Sequence, residues 1–132
     1  MKSRLGRVLA GTFALSATAA ALTAGSAFAN EPPDGIVWDH TYTAPGVKVY
    51  VEEHGDYVEV CDTSKNGYSA WVEVYLGITK YRLTASSGVG TCEWESASDV
   101  DLPENVDILL HFDGRGHDVD HPDGVESFYN DH

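Results

Sequence analysis

Seven residues near the end of this 132-residue chain have the types and spacing to hold a cation. Asp113, Asp118, Asp120 and Asp123 fall within eleven positions, beside His111, His117 and His121. Oxygen-rich, glycine-bearing loops suit Ca²⁺, which takes about six to eight oxygen ligands. Asp118-x-Asp120-x-x-Asp123-Gly124 approaches a calcium-loop register. It departs from an EF-hand, because Pro122 stands where the third ligand belongs and no flanking helices are expected. His and Asp together suit Zn²⁺ instead. The competing expectation is a solvated acidic tail, irregular from about 113, since such charge runs are usually unstructured.

A second set is aromatic. Trp71 and Tyr75 share the non-core face of one predicted strand, with Glu73 between them. An apolar ring with a polar tip beside a carboxylate suits stacking on a sugar. The competing expectation is that a strand or loop covers them, or that the strand is central and buried on both faces. Trp38 and Tyr42 share this ambiguity, and Trp94, two residues from Cys92, is expected to pack on a disulfide.

Catalysis has less support. Glu93 and Glu95 share a face, and paired carboxylates can cleave glycosidic bonds, but on an expected edge strand they would be solvated. The chain has no G-x-S-x-G, P-loop or HExxH motif, and nothing joins Ser86 or Ser87 to a triad. The loop from Thr84 to Thr91 has the placement of a protease-inhibiting loop, but Ser-Ser-Gly-Val-Gly is flexible for a preorganised inhibitor. The expectation is a protein that binds and is not an enzyme.

The elements that must position these residues have a period of two. Val47, Val49 and Val51 alternate with Lys48, Tyr50 and Glu52. The same pattern covers Ile36–Thr43, Tyr57–Cys61, Tyr68–Leu76 and Asn105–Phe112, which predicts strands with one face on a core. Ile78–Thr84 and Thr91–Glu95 complete about seven strands, with turns at Pro45-Gly46, Gly55-Asp56 and Asn66-Gly67 between them. The predicted fold is all-β: a small antiparallel β-sandwich of immunoglobulin-like size, with a small β-barrel as the alternative.

The first 29 residues read as a cleaved secretory signal peptide. Lys2, Arg4 and Arg7 precede an uncharged apolar run over Val8–Leu22, and Ala27-Phe28-Ala29 supplies a cleavage site before Asn30. No basic stop-transfer segment follows, so a secreted protein without a stable membrane anchor is expected. The remaining 103 residues, 30–132, form one domain. Three of the eight basic residues leave with the leader and none of the 21 acidic ones do, giving a formal charge of −16. Such charge repels nucleic acid and attracts cations or basic partners. In an oxidising compartment, Cys61 and Cys92 are expected to form one bridge. Cys61 is out of phase with Val58 and Val60, so the bridge is expected at an edge and not across the core.

The segment Val58-Glu59-Val60-Cys61-Asp62-Thr63-Ser64-Lys65-Asn66-Gly67-Tyr68-Ser69-Ala70, the glycine loop before Cys92 and the step Leu102-Pro103-Glu104 have a family likeness. Together they resemble small secreted actinobacterial proteins that share a V-x-V-C-D strand end followed by a polar turn. The resemblance implies secretion and a β-fold, and no activity. Two roles remain open: an extracellular binding module for carbohydrate or a protein partner, using Trp71, Glu73 and Tyr75, or a cation-binding structural or surface protein, using the tail aspartates, with Ca²⁺ as the ion.

Overall fold

The computed structural model describes residues 33–132. The leader expected over 1–29 lies outside them. Eight strands form: β1 (His40–Ala44), β2 (Val47–Glu52), β3 (Tyr57–Asp62), β4 (Ala70–Leu76), β5 (Thr79–Ala85), β6 (Cys92–Glu95), β7 (Val106–Asp113) and β8 (Gly124–Asn130). They make two antiparallel four-stranded sheets, β1-β2-β3-β6 and β5-β4-β7-β8, so the molecule is a β-sandwich and not a closed barrel. Among the described residues no helix is long and apolar enough to cross a membrane.

The alternation in the sequence explains the packing. Val47, Val49, Val51, Val58 and Val60 project from the first sheet, and Ala70, Val72, Val74, Ile108, Leu110 and Phe112 from the second. Leu83, Leu102 and Phe128 complete this buried cluster. Fully burying one such aliphatic side chain contributes about 1.5–3 kcal/mol, so the inward face of each strand is strongly specified and a register slip would expose all of it.

Some expectations change. The strands expected over Ile36–Thr43 and Tyr68–Leu76 begin only at His40 and Ala70, which leaves Tyr68 exposed in the preceding loop. The segment from 113 onward, expected to be irregular, contains β8, which pairs along β7 from Phe112↔Gly124 to Val106↔Asn130. Its inward set, Gly124, Phe128 and Asn130, holds too few apolar residues to show the alternation that marked the other strands.

The chain crosses between sheets after β3, β5 and β6. All of β1–β2, β3–β4, β5–β6 and β7–β8 therefore connect at one pole. There Gly46 and Gly114 touch backbone to backbone, and a side chain on either would collide with the other. Asn66 Nδ2 donates to the Gly114 carbonyl across the same junction at 2.7 Å. The opposite pole carries the β2–β3 turn, the 96–105 connection and both ends of the described chain.

Candidate functional site

Strand β4 lies between β5 and β7, and this central place decides the fate of the aromatic set. Trp71 is only 6% exposed, with the Arg82 guanidinium 4.2 Å above its ring. Glu73 is buried and paired with Lys80 and Arg82, its neighbours on β5. Burial pushes the Glu73 carboxyl up, but the hydrogen bonds and charges of Lys80 and Arg82 outweigh it, and its pKa lies below the ordinary value. Tyr75 is half-buried against His111, their ring centres 4.8 Å apart. Trp71 and Tyr75 therefore do not form an open platform: basic side chains from β5 cover the outer face. Trp38 packs on Tyr50, and Trp94 on Tyr57.

The β7–β8 loop folds back over the end of the same sheet. Asp113 is fully buried and accepts hydrogen bonds from the backbone N–H groups of Arg115 and His117. Its ligand atoms, those of His117 and those of Asp123 lie within 4.8 Å of one another. Two of the four expected metal-binding aspartates thus meet, joined by a histidine. Asp118 and Asp120 stay outside and exposed, where Asp118 accepts from the N–H groups of Asp120 and His121. The converging trio already holds a cation of its own: Arg115 grips Asp123 through Nε and Nη2 at 2.5 and 2.6 Å. The guanidinium holds the Asp123 carboxyl below the ordinary value.

Cys61 and Cys92 are joined by a disulfide between directly opposed residues of β3 and β6. The bridge lies on an edge strand, as the phase of Cys61 indicated. It closes a stretch of 31 residues, and in the chain-entropy model this contributes roughly 3–4 kcal/mol. It also anchors the base of two loops at the glycine pole, because the Asp62 carbonyl accepts from Gly90 N–H at 2.8 Å.

Between these loops, 63–69 and 86–91, lies a cleft of about 320 Å³. Asp62, Lys65, Tyr68, Ser69, Ser86 and Val89 line it. Asp62 is buried at its base and accepts from Ser64 N–H. Tyr68 and Val89 are 55% and 50% exposed at its rim. The Tyr68 ring rests on Gly116, whose positive φ and missing side chain leave the space the ring needs. In the sequence the loop from Thr84 to Thr91 stands as an inhibitor candidate and the segment Val58–Ala70 carries a family likeness. The sequence does not join them, because only the β3–β6 pairing brings them face to face.

At the other pole several acids lack such compensation. Asp56 is buried in the β2–β3 turn with a left-handed φ of 53°. Burial, a hydrogen bond with the Asp101 carboxyl, and the charges of Asp101 and Glu104 raise its pKa to about 6, against the opposing pull of a Leu102 backbone hydrogen bond. Burial, then Asp99 and Glu93, likewise raise Glu95, and its Oε2 is enclosed without a hydrogen-bond partner.

The architecture thus defines a disulfide-closed β-sandwich with a loop-built cleft at one pole. No family model matches the chain, and no curated protein or solved structure does either.

Proposed function

We propose that this is an exported, non-catalytic binding protein that takes a saccharide into the cleft between loops 63–69 and 86–91. The reading rests above all on one observation: the exposed Tyr68 ring, seated on Gly116, forms one wall of a cleft also lined by Asp62, Lys65, three serines and Val89. A fixed ring with convergent polar groups suits a half-wet ligand carrying many hydroxyls, which can stack and hydrogen-bond together. The disulfide, the leader and the likeness to secreted actinobacterial proteins support export. The −16 formal charge of the exported chain argues against nucleic acid and anionic membranes as partners. A cation-binding role for Asp113 and Asp123 is the second reading, supported by their convergence with His117. The saccharide reading is preferred because Arg115 already neutralises that trio.

The test is a glycan array followed by calorimetric titration of the full-length protein. A bound oligosaccharide is expected, and Tyr68→Ala should weaken it about tenfold, equivalent to about 1.4 kcal/mol. Tyr68 is exposed, so the unfolding temperature should hold. No binder on the array, or a binder indifferent to Tyr68→Ala, overturns the assignment.

A further inference from the structure

The pole opposite the cleft gathers nitrogen and oxygen donors from three separate stretches of chain. Asp39 and His40 arrive with the start of β1, Glu52, Glu53 and His54 with the β2–β3 turn, and Asp131 and His132 after β8. Ligand atoms of Asp39, Glu52 and His54 lie within 4.8 Å of one another, and so do those of Glu53, Asp131 and His132. The two groups are contiguous, because the rings of His54 and His132 face each other with centres 3.7 Å apart.

This is not a bare acidic patch. Two imidazoles from distant parts of the chain meet at van der Waals separation among four carboxylates. Neutral imidazoles are metal ligands. The five Lys and Arg side chains of the described residues are placed elsewhere. Lys48 lies over the Tyr50 ring, Lys65 lines the cleft, Lys80 and Arg82 hold Glu73, and Arg115 holds Asp123.

Within each group one imidazole nitrogen lies close to a carboxylate oxygen. Two ligands on a tetrahedral Zn²⁺ with bonds of about 2.0–2.1 Å lie about 3.3 Å apart. His132 Nε2 is 3.2 Å from Asp131 Oδ1, and His54 Nδ1 is 3.9 Å from Glu52 Oε1. Behind them Glu53 is held firmly. It is buried, pairs with His40 Nε2, and accepts from Asp131 N–H at 3.5 Å. The Glu53 N–H in turn donates to Asp39 Oδ2 at 2.9 Å. Such outer contacts orient metal ligands. His54 and His132 are exposed, as are Asp39 and Asp131, so each group is open to an arriving ion.

We propose that the two adjacent groups, Asp39–Glu52–His54 and Glu53–Asp131–His132, form a binding pole for borderline divalent transition metal ions of the Zn²⁺ class. Nitrogen donors select such an ion over Ca²⁺, which prefers an all-oxygen shell. The site is separate from the cleft and from the Asp113–Asp123 loop, so it stands whether or not the saccharide reading does.

The test is calorimetric titration of the chelator-treated full-length protein with ZnCl₂, and with CaCl₂ in parallel. Saturable Zn²⁺ binding is expected, with Ca²⁺ at least about a hundredfold weaker. His54→Ala and His132→Ala should each lower Zn²⁺ affinity about ten- to a hundredfold. His121→Ala, on the exposed β7–β8 loop, should leave it unchanged. Co²⁺ loaded into the same site should give visible absorption bands that His54→Ala removes. Unfolding in EDTA should be the same for parent and histidine variants. If His54→Ala proves unstable, Glu52→Gln replaces it and should weaken Zn²⁺ in the same direction. Absence of saturable Zn²⁺ binding overturns the proposal. So does binding that survives both histidine variants but is lost in His117→Ala, which would put the ion on the β7–β8 loop.

Discussion

The two poles of the sandwich treat the same chemical group in opposite ways. At the glycine pole, Asp123 has its pKa lowered, and Arg115 is the cause. On the adjoining outer face Glu73 is lowered as well, through Lys80 and Arg82. At the other pole Asp56 and Glu95 are raised, by burial and by neighbouring carboxylates. Burial pushes every carboxyl upward, and the sign of the net shift follows where the few cations sit. Residues 33–132, with five basic side chains against 20 acidic ones, cannot neutralise both ends. Its cations stabilise the central strand β4 and the β7–β8 loop. The pole around Asp56, His54 and His132 is left to imidazoles, to protons and, on our proposal, to a metal ion.

Asp113→Ala should have the largest effect on stability. Asp113 is fully buried and holds the N–H groups of Arg115 and His117. Its loss leaves those donors unpaired and should cost about 2–4 kcal/mol. For a domain of this size that is a fall of roughly 10–20 °C in the unfolding temperature, measured by calorimetry.

Asp56→Asn should act in the opposite direction. A carboxyl whose pKa rises on folding from 3.8 to about 6 binds its proton more tightly in the folded state. The folded chain therefore gains stability as pH falls through about 6 toward 3.8, and loses it again as pH rises. Asn removes the charge and tolerates the left-handed φ. It should stabilise the protein by about 1–3 kcal/mol at pH 7.5 and by almost nothing near pH 4. Denaturant unfolding at the two pH values checks this. Equal effects at both would mean that the Asp56 charge is not what destabilises this pole.

Arg115→Ala has the smallest expected effect on stability, because its ion pair with Asp123 is exposed to water. Without the guanidinium, Asp113, His117 and Asp123 become a pole with uncompensated acid, and added Ca²⁺ should then raise the unfolding temperature more than it does in the parent. An identical Ca²⁺ response in both proteins would show that Arg115 does not stand in for a cation there.

Much of the fold was legible because a two-layer sheet writes its burial into a period of two. Val47-Val49-Val51, Val58-Val60 and Ile108-Leu110-Phe112 each announce their inward face. β8 was not legible, because Val125 and Tyr129 project outward while Gly124, Glu126 and Asn130 occupy inward-phase positions, and only pairing with β7 keeps the strand. The Trp71-Glu73-Tyr75 row was legible as a row, but its exposure was not. Strand order placed β5 beside it, and Lys80 and Arg82 cover it from there.

By itself the sequence determined alternation, turn positions, acidic charge and the parity that put Cys61 on an outer face. These are local properties, set by neighbouring residues and backbone geometry. Only the tertiary structure decided which distant groups share a site. It joined Tyr68 to Val89, Asp113 to Asp123 around Arg115, and His54 to His132 across 78 residues. Those meetings depend on strand order and sheet crossing, which arise from burying one continuous core, and no spacing along the chain encodes them.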